Sequence, residues 1–216
     1  MHRDHDVPHR SWLRHLSSGP QAAMPSQLNI CSTLAMAHPD LRQLMEYPLS
    51  DDDLRECLRN PNVRILTYPK LSNETLETLF GPGGYTVLLF LTKSATRGHW
   101  LCVLQHEEGR KIEVFDSFGT PVDGDRAWLD KSRLTSLHET LPLLGTILAT
   151  AKERGIRVEH NTHHLQADES NTCGRHVAAR LMHCAQSLPD YISYVKSLGG
   201  TPDEAVTKIT YAVIHK

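Results

Sequence analysis

No part of this 216-residue chain is apolar for long. The longest uninterrupted run is Val87 to Leu91, far short of the roughly 20 residues a spanning helix needs, so a membrane span is not expected. The N-terminal MHRDHDVPHRSWLRHL has no apolar stretch of signal-peptide length, which argues against secretion by that route. Neither sign of charge is in excess: 23 Lys and Arg face 25 Asp and Glu, a net of −2. A broad basic footprint for duplex DNA is therefore not expected. Paired cysteines are missing too. The five, at 31, 57, 102, 173 and 184, are scattered, odd in number and form no CxxC. That spacing excludes a zinc ribbon and argues against a disulfide framework; it fits a reducing compartment in which a thiol stays free.

What is present is enough for one domain. Hydrophobic residues make up 39% of the chain, lean but sufficient for a core at this length. Residues 1–26 read as a flexible tail: four histidines, several arginines and Ser17-Ser18-Gly19-Pro20, although Trp12 and Leu13 could dock. The remainder, 27–216, reads as a single domain. Leu28 to Met45 is weakly helical, broken near His38-Pro39. Ser50 starts a helix, with Asp53 three residues on completing a capping box; it stops at Asn60-Pro61. Asn62 to Tyr68 reads as a strand, and Ser72 starts a short helix carrying Leu76, Leu79 and Phe80.

The centre is β. Tyr85 to Thr92 is nearly all apolar and reads as a strand buried on both faces. His99 to His106 and Lys111 to Phe118 flank a turn at Glu107 to Arg110, the pattern of an antiparallel hairpin. Ser132 to Arg154 has leucines at helical spacing, with Pro142 marking a kink or a new start. Ile156 to Leu165 reads as a fourth strand. A helix starts near Cys173 with Val177, Leu181, Cys184 and Leu188 on one face, ending before Pro189. Another begins at Thr201, with Pro202 first and Glu204 completing a capping box. Helices, a mainly antiparallel central sheet, then helices again give an α+β fold.

A nucleophilic thiol needs a base, a group to orient that base, and donors for the developing oxyanion. Cys173 sits at a helix start, where backbone N–H groups and the helix dipole favour thiolate. Gly174 beside it would let a substrate backbone approach. His99 begins a strand next to the bulky Trp100, which could cover the catalytic groups or simply fill core. Asp116 lies near the end of the neighbouring strand; hairpin pairing about the 107–110 turn brings it to His99, where it could hold the imidazole. Gln166, seven residues before Cys173, could join the Cys173 N–H as an oxyanion donor. Ser170 and Asn171 shape the loop before the thiol, and Asn171 could touch substrate. The other four cysteines read as buried structural thiols.

In order, Gly98-His99-Trp100, Phe115-Asp116-Ser117-Phe118-Gly119, Gln166 and Asn171-Thr172-Cys173-Gly174 resemble the cysteine-protease superfamily of adenovirus endopeptidases and SUMO-specific proteases. The resemblance spans roughly residues 60–188. It implies His99 as general base, Asp116 as orienting acid, Gln166 as oxyanion donor and Cys173 as nucleophile. It also implies a papain-like, permuted α+β fold with the nucleophile at a helix N-terminus. The Phe-Asp-Ser-Phe-Gly run followed by Pro121, with the seven-residue Gln-to-Cys gap, looks more like viral members. The substrates so implied are viral precursor proteins, in host cytoplasm, nucleus or virion; the alternative is an isopeptidase acting on a ubiquitin-like protein. No residues match the peptide and DNA activators of adenovirus endopeptidase, so no cofactor is expected.

Two rival readings use the same residues. His160, His163 and His164 on one strand, or Cys173, His176 and His183 around one helix, could ligate a metal; each set is short of ligands, and no metal is expected. An inactive protease-like binding module is disfavoured because every required side chain is present.

Overall fold

A computed structural model describes residues 40–94 and 96–214. The 1–26 tail, most of the first helical stretch and Cys31 lie outside the described residues. Helix α1 is Leu41–Glu46 and α2 is Asp51–Cys57. The expected capping box forms at α2, with Ser50 Oγ accepting from Asp53 N–H and the Asp53 carboxylate accepting from Ser50 N–H at 2.8 Å. Strand β1, Ile65–Thr67, is shorter than expected, because Pro69 turns the chain into a 3₁₀ stretch at Tyr68–Asn73. No α-helix forms over 72–80. Thr75 and Thr78 instead close a turn that points Leu76 and Leu79 into the core.

The sheet is β2 (Tyr85–Ser94), β3 (Arg97–His106), β4 (Lys111–Phe115) and β5 (Arg157–His160), with β1 at one edge. The order is β1-β2-β3-β4-β5. The two central pairings are antiparallel and both edge pairings are parallel. β2 is buried on both faces as expected, from Thr86 through Leu91. Val87, Leu89 and Leu91 face one core with Trp100, Cys102 and Phe115. Leu88 and Phe90 face a second with Leu101, Val103 and Ile112. The period of two in a strand sorts the side chains this way.

Helices cover both faces. On the second core lies α4 (Leu143–Glu153), through Leu144, Ile147, Leu148 and Ala151. It is not one long helix from Ser132: α3 (Lys131–Ser136) ends early, His138 takes a left-handed conformation, and Pro142 caps α4 afresh. Proline lacks the N–H that a continuous helix would need there. Against the first core lie α5 (Cys173–Met182), α6 (Leu188–Ser197) and α7 (Pro202–Ile214). α7 has the expected Thr201–Glu204 capping box. α5 stops at Met182, six residues sooner than expected, and α6 begins at Leu188, with Ser187 as its cap and Pro189 in its first turn. Cys184 therefore falls between helices and is exposed, not on a core face. β5 likewise stops at His160, where Asn161 ties its side chain to the Asp116 and His163 carbonyls. No described helix is long and apolar enough to cross a membrane.

The β2–β3 turn is pinned by close approach. A Cβ on Gly98 would lie 1.7 Å from the Phe90 carbonyl oxygen, so only glycine fits beside the irregularity after Leu91. Gly98→Ala should cost about 2–4 kcal/mol in urea unfolding, since backbone rather than a flexible side chain must move.

Candidate active site

The hairpin register sets the first pair of groups. Cys102 pairs with Phe115 and Val103 with Val114, so continuing the ladder puts Leu101 opposite Asp116 and His99 opposite Phe118. His99 and Asp116 are thus diagonal neighbours on one face, and Nε2 of His99 lies 2.9 Å from Asp116 Oδ1. Phe118 N–H donates to the same oxygen at 2.8 Å. Both groups are buried, each 4% exposed. The ring of His99 is walled by Phe118, 4.9 Å between centroids, and by Trp128, 5.3 Å and edge-on. Trp128 arrives on a 3₁₀ turn, Gly124–Trp128.

Cys173 opens α5 from the opposite core and meets the other side of the imidazole. With Nε2 committed to Asp116, Nδ1 is the nitrogen left for the thiol. Burial alone would raise the Cys173 pKa, but the hydrogen bond and charge of His99 outweigh it, aided by the Trp100 and Gly174 backbone N–H groups, and the thiol sits below its ordinary value. His99 moves the opposite way. Burial disfavours its cation, yet hydrogen bonds to Asp116 and Cys173 lift it to about 10. Both shifts run toward the charged forms, thiolate on Cys173 and imidazolium on His99. Cys57 and Cys102 are also buried but have no such partner, and burial pushes Cys57 to about 11 and Cys102 well above its usual value.

Gln166 lies in the loop after β5, 2% exposed. Ser117 Oγ donates to its Oε1 at 2.7 Å, which fixes the amide's orientation, and Nε2 donates to the Ser170 carbonyl at 3.0 Å. One Nε2 hydrogen remains uncommitted. Trp100 is core: 6% exposed, its indole N–H bonded to the Leu49 carbonyl at 3.0 Å. Gly174 makes room for protein: a Cβ there would sit 2.9 Å from Leu49 Cβ and 3.2 Å from Trp100 Cδ1. Asn171 donates to the Glu46 carbonyl at 3.1 Å, tying the loop to the end of α1.

The two histidine sets weighed as metal sites are dispersed. His164 is exposed beside Asp168 and Phe118. His176 is fully buried against Asp203 at 2.9 Å, and His183 bonds its own helix at the Ala179 carbonyl. Among the described residues, the one cluster of three ligand-type groups is His99, Asp116 and Asp125. Asp125 and Asp203 had no signal in the sequence: each reads there as an acidic residue in a turn or a helix start. Beside His99, Phe118, Thr120, Trp128, His164 and Asp168 line an open groove.

The ion pair makes alkylation of Cys173 a direct readout. With Cys31 and Cys184 replaced by Ser, iodoacetamide should label Cys173 readily at about pH 6–7, where an ordinary thiol is mostly protonated. In His99→Ala, burial is unopposed, the thiol pKa rises, and labelling at neutral pH should fall on the order of 10–100-fold.

No protein-family model matches the chain. A solved structure of the SUMO protease Ulp1, with its catalytic cysteine oxidized to a sulfenic acid, is similar over 82% of each chain at 12% identity and a TM-score of 0.34, too distant to bear on function. The uncharacterized protein V9 of Sputnik virophage is 30% identical over 178 residues, 79% of this chain and 98% of that protein. At that identity and coverage, the chain belongs to the family of the virophage protein V9.

Proposed function

We propose that the chain is a cysteine peptidase that cleaves protein substrates, with Cys173 as nucleophile, His99 as acid and base, and Asp116 holding His99. The observation that carries this reading is the buried His99–Asp116 pair, 2.9 Å apart, against which one of the buried thiols, Cys173, is set. Two other thiols are pushed up by burial, while the one beside the His–Asp pair is drawn down. A core thiol has no need of a buried imidazolium, and keeping one there costs solvation free energy.

The chemistry follows from the partners. The Cys173 thiolate attacks the scissile carbonyl carbon, and the developing oxyanion accepts from the Cys173 backbone N–H and the free Nε2 hydrogen of Gln166. His99 passes its Nδ1 proton to the leaving amine as the C–N bond breaks, leaving a thioester on Cys173. Neutral His99 then takes a proton from water as it attacks the thioester; thiolate departs, and the ion pair is restored. Since His99 protonates the leaving group, the groove of Phe118, Trp128, His164 and Asp168 lies on the leaving-group side. The virophage relative supports a viral setting, and we take viral precursor proteins as the substrate class.

Cys173→Ala and His99→Ala should abolish turnover of such precursors, followed by gel mobility. Gln166→Ala should cost roughly 10²–10³ in kcat, the usual loss of one oxyanion donor. Trp128→Ala should change KM more for substrates extended past the cleaved bond than for short ones. Efficient covalent capture of a ubiquitin-like probe, with no cleavage of precursors, would replace precursor processing by isopeptidase activity.

A further inference from the structure

Behind the His99–Asp116 pair lies a third buried group that the proposed reaction does not use. Asp125 is 4% exposed, on the 3₁₀ turn that follows Asp123, whose backbone is left-handed at φ 61°. The ligand atoms of Asp125, Asp116 and His99 all lie within 4.8 Å of one another. Asp116 Oδ1 already accepts from His99 Nε2 and Phe118 N–H, which fills its lone pairs, and the Asp116 carboxylate also faces Asp125. Asp125 Oδ1 is buried and has no donor facing it.

The charges around this contact decide its protonation. Thr120 offers Asp125 a hydrogen bond. Tyr68 and Asp123 line the same small pocket but satisfy each other at 2.7 Å, and Asp123 also accepts from Gly145 N–H. Arg126, next in sequence, spends its guanidinium on the carbonyls of Glu139 and Thr140. Among the described residues, the one cation left facing this contact is His99. Two carboxylates in contact behind a single imidazolium cannot both ionise cheaply.

We propose that Asp125 is a positioning residue that donates its carboxyl O–H to Asp116, extending the pair into a His99–Asp116–Asp125 relay. Burial first, and the Asp116 charge second, push Asp125 up to about 8. Asp116, receiving that bond and the one from His99, stays below its ordinary value despite its own burial. No proton changes hands: the O–H of Asp125 and His99 both bind the Asp116 carboxylate, so it cannot rotate away from the imidazole. This role rests on the peptidase reading, but the contact can be measured without it. Above about pH 8, Asp125 ionises; the donor becomes a second anion and the grip on Asp116 is lost.

The test is the His99 Nε2–H proton resonance in the intact chain, assigned by its loss in His99→Gln and followed between about pH 6 and 10. Wild type should show an inflection near pH 8 while the ring remains protonated. Asp125→Asn, which keeps a donor but cannot titrate, should lose the inflection and alkylate Cys173 within about threefold of wild type. Asp125→Ala should lose the inflection and alkylate roughly tenfold more slowly at neutral pH. A wild-type resonance with no inflection, or an Asn variant as impaired as the Ala variant, overturns the proposal. An inflection that vanishes on adding chelator also overturns it, since a bound cation would then be the partner. If the resonance behaves as expected but labelling persists in Cys173→Ala, the relay stands and the peptidase reading falls.

Discussion

The placement of the Cys173 thiol depends on a helix buried on every side. Cys173 through Leu181 of α5 are all buried, including Arg175, His176 and Arg180. A helix with an apolar stripe can slide or roll on a greasy surface; one carrying buried polar groups cannot, because each group must find its own partner. Arg175 reaches Thr210 on α7 and the Leu44 carbonyl. His176 reaches Asp203 at the start of α7. Arg180 makes a two-pronged pair with Glu113 on β4, at 2.7 and 2.8 Å, and stacks on Tyr191. Partners on α1, α7 and β4 fix the height and rotation of the helix. The sulfur at its first residue is placed as a consequence. Such pairs add little net stability against an apolar core, so their role here is best read as register.

Asp203 extends the same logic to the loop before the thiol. Its carboxylate accepts from His176, from the Thr172 and Ser170 hydroxyls and from Ala167 N–H. One side chain from α7 therefore gathers the segment that holds Gln166 and leads to Cys173. Ser117 ties the other end, through its carbonyl to Leu165 and Gln166 N–H and through its hydroxyl to the Gln166 amide. Ser117 directly follows Asp116, so the acid and the candidate oxyanion donor share one anchor. His99 is set by β3, Asp116 and the Gln166 amide by the exit of β4, and the thiol by α5; Glu113–Arg180 joins β4 to α5.

Much of this was legible in the sequence, and the rest was not for definable reasons. β2, the β3–β4 hairpin and the caps at Ser50 and Thr201 depend on neighbours within a few residues and appear where local pattern puts them, except that β4 stops at Phe115, three residues short of the expected Phe118. The helix at 72–80, the long helix from Ser132 and the strand to Leu165 fail where apolar spacing competes with backbone chemistry: Thr75–Thr78 turn bonds, Pro142, and Asn161. Apolar spacing at Val177 and Leu181 identified α5 but not its burial all round, because Glu113, Thr210 and Asp203 lie 67, 35 and 27 residues from their partners. Cys184 was misplaced by the same extrapolation of one helix past its end. Of the residues at the site, His99, Asp116 and Cys173 are brought together as their motifs suggest. Asn171 and Gly174 face protein, and Asp125 was invisible because nothing local distinguishes an inward aspartate from a solvated one.

Dry surroundings then set how the site behaves. Phe118 and Trp128 cover the His99 ring, and Trp100 packs behind the thiol. Excluding water strengthens every charge interaction inside, favourable or not. That is why the buried thiol of Cys173 moves in the opposite direction from that of Cys57 once an imidazole touches it. It is also why the number of charges is limited. Thiolate, imidazolium and the Asp116 carboxylate already leave one negative charge without a counterion. A second buried carboxylate at Asp125 would double that excess, and with Arg126 turned away no cation stands by to offset it. Protonation of Asp125 is the least costly way to keep four ionisable groups in one water-poor space, and the hydrogen bond it then donates goes to the Asp116 carboxylate.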